Sequence, residues 1–166
     1  AALDVLAQLM GSGSNSYLYR ALVVDKPLAI NASASYQGTS LDPSQFSVAV
    51  APRPGVEFAQ VESAVDSVIA EIAQNPVPAA DLERVKTQLI AEAIYAQDSQ
   101  ATMARWYGGG LTTGLSIEDI RSWPDRIRAV TAEQVRAAAQ KWLDKKRSVT
   151  GYLIKDNAAK REEKRS

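Results

Sequence analysis

The sequence predicts an α+β domain in which a mixed or antiparallel sheet packs against several helices. Three observations carry this. Leu28–Tyr36 and the stretch Phe46, Val48, Val50 alternate with period two, as half-buried strands do. Val61, Val65, Val68, Ile69 and Ile72, and then Leu82, Val85, Leu89 and Ala93, recur at helical spacing. Ser116-x-x-Asp119 and Thr131-x-x-Gln134 read as capping boxes that open two further helices.

In chain order, Ala1–Met10 is the first helix, with Leu3, Leu6, Leu9 and Met10 on its stripe and Gly11 placed to stop it. Ser14, Asn15 and Ser16 are competent caps for a second helix carrying Tyr17, Leu18, Ala21 and Leu22. Pro27 ends that helix at Lys26, because the residue before proline is pushed out of the α region. Leu28–Tyr36 is a strand with Leu28, Ile30, Ala32, Ala34 and Tyr36 on its inner face. Gln37–Ser44 is a turn, and Ser44–Ala51 an antiparallel partner. Val56–Gln74 is helical. A longer helix starts near Ala79, with Glu83, Arg84, Lys86 and Glu92 on its wet side, and runs to Trp106 before a stop at Gly108–Gly110. A short helix over Ile117–Trp123 and another over Ala132–Leu143 follow, and Ser148–Ile154 is the last strand.

This count leaves about three strands for five or six helices, whereas sheets usually hold about five or six strands. The first helix also opens without a cap. Both features predict that further strands of the sheet precede residue 1, and that the face of Val61, Val65, Val68 and Ile72 is only partly covered. Residues 1–155 form one domain, and 156–166 a polar tail.

The composition narrows the chemistry. The chain of 166 residues has a formal net charge of zero, so no global field recruits nucleic acid or an anionic membrane. No apolar run approaches the roughly 20 residues of a membrane span. There is no Cys and no His. Disulfides, thiolate metal sites and histidine-based nucleophile systems are therefore excluded within the chain.

Each remaining candidate has a plainer explanation. Gly11–Ser16 lacks the preceding strand and the Lys-Ser/Thr of a phosphate loop, so it reads as a helix–helix connection. Gly108–Gly110 reads as a helix stop rather than a ligand approach. Asp119 with Asp125, and Asp81 with Glu83, read as solvated helix faces rather than acid–base pairs. Trp106, Trp123 and Trp142 read as core or helix–helix packing. Lys145-Lys146-Arg147 is too short a run to argue for nucleic acid. No catalytic, cofactor-binding or metal-ligating residue is expected here.

The order of segments carries a resemblance. ALDVLAQLMGSGSNSYLYRALV, LDPSQFSVAVAPRPGV, ADLERVKTQLIAEAIYAQDS, GLSIEDIRSWPDRIRAVTAEQVRAAAQKWLD and SVTGYL follow one another over nearly the whole chain. Together they resemble the C-terminal, non-catalytic domain of the insulinase/pitrilysin-like zinc metallopeptidases, in the bacterial branch similar to mitochondrial processing peptidase. The resemblance implies repeated α+β domains that pair to enclose unfolded peptide. It implies a zinc site on a His-x-x-Glu-His helix of an upstream domain, where the metal-bound water is the nucleophile. With no His, this chain holds no zinc of its own.

Many family members also use an Arg and a Tyr seven residues apart in a partner domain. On the segment ALVVDKPLAI those positions fall on Val23 and Ile30, so neither role carries over. The resemblance implies instead that a second family subunit supplies them. Val23 is expected on the buried side of its helix end and Ile30 on the core face of the strand. The implied function is structural: a wall of the chamber in a zinc-dependent peptidase, periplasmic by analogy with bacterial relatives. The alternative is a domain of a proteolytically inactive scaffold subunit.

Overall fold

The structure, a computed structural model, describes residues 1–154. Residues 155–166, which include the stretch 156–166 read as a polar tail, lie outside the described residues. The elements are α1 (Ala2–Gly11), α2 (Tyr17–Tyr19) continuing as a π-helical stretch over Arg20–Asp25, β1 (Ala29–Gln37), β2 (Gln45–Pro52), α3 (Phe58–Gln74), α4 (Ala79–Ala96), α5 (Gln100–Thr112), α6 (Ile117–Arg121), α7 (Trp123–Arg128) and α8 (Ala132–Trp142), then a 3-10 turn at Lys145–Arg147.

The core is built around α1. Val5, Leu6, Leu9 and Met10 are wholly excluded from solvent, because this helix touches β1 on one side and α4 and α8 on others. Gly11 has a different job from the helix stop expected of it. It is the last residue of α1 and lies directly on β1, where a Cβ would sit 1.7 Å from the Ala34 backbone nitrogen. The left-handed turn falls instead to Gly13, at φ 74°. Ser16 occupies the N-cap position of α2, but its hydroxyl donates back to the Gly13 carbonyl at 2.8 Å and caps nothing.

β1 and β2 pair antiparallel, with Ala32 opposite Val50, Ala34 opposite Val48 and Tyr36 opposite Phe46 on the inner face. At the start of β1 the register slips: Ala29 faces Pro52, yet Asn31 faces Ala51. The extra residue is a β-bulge at Ile30. It exchanges the faces on its two sides. Ala29 is therefore buried and Ile30 is 61% exposed, reversing the expected core position of Ile30. Val23 is half-buried and packs against the core, as expected.

The sheet has two strands among the described residues. Ser148–Ile154 does not join it. A strand needs a hydrogen-bonded neighbour, and none reaches this segment among the described residues. Here the segment is drawn to α3, where Tyr152 stacks on Phe58 at 4.9 Å and donates its hydroxyl to Glu62. Val149 and Leu153 are left 99% and 98% exposed. The face of Val61, Val68 and Ile72 is buried rather than partly covered, because α8 and the π-helical stretch pack on α3. Only Val65 and Ile69 are half-buried.

The expected long helix is two. α4 ends at Ala96, and Ser99 caps α5 by accepting the Thr102 N–H at 3.3 Å. Gly108–Gly110 do not stop α5; they lie inside it, and Gly114 at φ 91° marks the turn. The Thr112 and Thr113 hydroxyls donate to the carbonyls of Gly108 and Gly109, at 2.7 and 2.8 Å, which ties the last turn together. Both predicted capping boxes are formed, at Ser116/Asp119 and Thr131/Gln134.

Candidate functional site

Helices cover one face of the β-hairpin and leave the other open. The open face follows from the register: Asn31 beside Ala51, Ser33 beside Ala49, Ser35 beside Ser47. These side chains are small, and most are exposed. The bulge adds Ile30 to the same side. No carboxylate, cation or aromatic ring belongs to these pairs. The surface offers extended backbone edges and shallow side chains, suited to contact along a chain and not to acid–base chemistry.

The residues weighed from the sequence as possible chemistry are dispersed into structural roles. Asp119 closes the capping box: its carboxylate accepts the Ser116 hydroxyl at 2.6 Å and backbone N–H at 2.9 Å, which holds its pKa below the usual carboxylate range. Asp125 pairs with Arg128 at 2.5 Å. Asp81 pairs with Arg84 at 3.1 Å, and Glu83 with Lys86 at 3.1 Å. Among the described residues, no group of three Asp or Glu is placed to hold a metal ion, and no helix is long and apolar enough to cross a membrane.

Trp106 and Trp123 pack helix on helix, with centroids 6.2 Å apart. Trp142 is not core: it is 50% exposed and carries two cations instead. Lys145 of the basic run reaches Asp66 at 2.5 Å, and that hydrogen bond raises its pKa.

Two features escape the sequence pattern. Lys86, expected on the wet side of α4, is 9% exposed, its stem packed inward while its ammonium reaches Glu83. Tyr17 donates to Asp81 at 3.0 Å across 64 residues of chain, and burial followed by this bond raises its pKa above the ordinary phenol value. Helical spacing puts Tyr17 on a stripe and Lys86 on the wet side; only tertiary packing brings Asp81 to Tyr17 and buries the Lys86 stem.

The fold matches solved structures closely. It superposes on a protease from Helicobacter pylori with TM-score 0.80 at 19% identity, covering 86% of this chain and 34% of that one. The inactive peptidase domain of a Bordetella parapertussis protein assigned as a zinc protease gives TM-score 0.83 at 18% identity, over 95% of this chain and 85% of that one. The peptidase M16 inactive domain from Pseudomonas fluorescens gives 0.71 at 20%, over 84% and 33%. The chain thus spans about a third of the Helicobacter protein and most of the Bordetella domain. No curated protein matches the sequence at a significant level. The profile of the peptidase M16 inactive domain matches residues 1–89, more than half of the chain, and includes α1, the bulged hairpin and most of α4. By that match the chain belongs to the family of peptidase M16 inactive domains, and its role is that of a non-catalytic structural domain.

Proposed function

We propose that this domain forms one wall of a peptide-enclosing chamber in a zinc-dependent peptidase of the processing-peptidase branch, with the helix-free face of β1–β2 turned toward the substrate. The observation that carries the reading is the pairing of that smooth, chemistry-free face with membership of the inactive-domain family. Unfolded peptide is the substrate class such a surface favours, because an extended chain lies along strands without needing side-chain pockets. Zinc and its activated water belong to another domain of the same polypeptide. Val23 and Ile30 carry no donor, so the Arg and Tyr of the family come from a second subunit. The open strand edges and the extended Ser148–Ile154 segment are where further strands join. A periplasmic site of action belongs to the same proposal, and cell fractionation checks it.

The test uses the full polypeptide in which this domain sits. Ser35→Trp and Ala49→Trp each crowd the open face without touching the core. Hydrolysis of an unfolded peptide should fall while zinc content stays unchanged. Wild-type turnover by both variants would overturn the chamber-wall reading.

A further inference from the structure

Four cations fall within seven residues at the C-terminal end of α8 and the turn after it: Lys141, Lys145, Lys146 and Arg147. Lys145 is spoken for by Asp66. Among the described residues Lys141 and Lys146 belong to no ion pair, and Arg147 has only a long one, 4.0 Å to Asp144. Asp144 is itself engaged, accepting the Lys146 backbone N–H at 3.0 Å to cap the 3-10 turn.

An aromatic ring sits among these charges. The Lys141 ammonium lies 4.8 Å from the Trp142 centroid and the Arg147 guanidinium 5.6 Å from the same centroid. Ring attraction and the helix C-terminus hold both cations there against their mutual repulsion. Arg147 also donates to the Lys141 carbonyl, which fastens the turn to the helix end. The result is a fixed positive cluster beside an exposed indole.

We propose that this cluster is a docking site for a carboxylate-rich peptide segment. Carboxylates would bridge Lys141, Lys146 and Arg147, with the guanidinium able to take one in bidentate fashion. The indole edge gives apolar contact to the aliphatic stems of Glu. Nucleic acid and anionic bilayers are the lesser fit: they are held by many phosphates and by a net positive field, and this chain has a formal net charge of zero. The site is separate from the open face of the sheet, and its test does not depend on proteolysis.

The experiment measures binding of a labelled Glu-rich peptide to the full chain by fluorescence anisotropy at low salt, beside the same peptide with Gln for Glu. The Glu peptide should bind about tenfold more tightly, and raising the salt should weaken it. Lys141→Gln with Arg147→Gln should weaken it about tenfold, and Lys146→Gln about threefold. Lys146 provides the safeguard, since its side chain makes no described bond whose loss would disturb the turn. Circular dichroism confirms that the variants stay folded. Equal binding of the Gln peptide, full binding by folded Lys146→Gln and double variants, or tighter binding of an oligonucleotide or an anionic vesicle would each overturn the proposal.

Discussion

Replacing Gly11 with Ala should unfold this domain more readily, even though Ala is the better helix former. On an exposed helix the change would favour the fold by about 0.5–1 kcal/mol. Here the new methyl carbon would lie 1.7 Å from Ala34 nitrogen and 2.5 Å from the Ala34 Cα and the Ser33 carbonyl carbon. All three atoms are backbone, so no rotamer relieves the overlap. Helix and strand must separate by more than about 1 Å to restore contacts that real Cβ atoms tolerate. That separation loosens Leu6, Leu9 and Met10, which are fully buried in the same core. Overpacking of this kind costs about 1–3 kcal/mol and occasionally more. The net loss should be about 2 kcal/mol, or about 4–8 °C in Tm for a domain of this size. Gly108→Ala and Gly109→Ala are the internal control. They lie inside α5 with nothing within 4 Å of the added carbon, so each should stabilise by about 0.5–1 kcal/mol. Urea unfolding followed by circular dichroism reads both signs on one scale. A Gly11→Ala protein as stable as wild type would refute the backbone contact between α1 and β1.

Further expectations follow from single contacts. Thr131→Ala removes the capping box of α8 and should cost about 1 kcal/mol in the same urea assay. Tyr17 has a folded pKa raised by burial and by Asp81, so its stabilisation is complete below the unfolded phenol value of about 10 and is lost as pH rises through the higher folded value. Alkaline titration at the phenolate absorbance band should show a late component that Tyr17→Phe abolishes; an unchanged curve would contradict the assignment. Ile30→Tyr should shift stability by less than about 0.5 kcal/mol, because the bulge holds that side chain in solvent. Lys86→Met should be tolerated to within about 1 kcal/mol in urea, since it keeps the buried stem and removes a charge that is desolvated on one side only.

Local chemistry was readable in the sequence where the determining atoms are neighbours in the chain. Ser116/Asp119 and Thr131/Gln134 close their boxes within one turn, and both helices begin where those residues predict. The hairpin was equally plain, because Ala32, Ala34 and Tyr36 alternate with small polar residues up to the turn. The errors share a different cause. Ile30 is turned outward by an extra residue in the register, which depends on what β2 offers opposite. Gly11 looks like a stop until the strand beneath it is known. Three consecutive glycines read as a break, but α5 runs through them to Thr112, and the turn comes at Gly114. Ser148–Ile154 reads as a last strand, but its Tyr152 packs on Phe58 of α3 and, among the described residues, no strand pairs with it. For the open face of the hairpin the limit is similar. The absence of His and Cys was visible at once, whereas which side of the hairpin stays bare follows only from where α1 and the other helices lie.

The attachment of α5 and α6 has a bearing on how the native state breathes. Neither helix contributes a residue to the main hydrophobic cluster. Together they form a satellite in which Gly110 lies under Ile120, fastened to the remainder by the Trp106–Trp123 contact. A unit joined through so little buried apolar area is expected to open on its own, at a free energy below that of global unfolding. Amide hydrogen exchange would then sort the chain into two tiers. Protons of α5 would exchange early and with little dependence on denaturant, and those of α1 and α3 late and with the full dependence of the whole domain. Such a sub-global opening would let this helical pair change its placement against a neighbouring domain while the α1–β1 core stays closed.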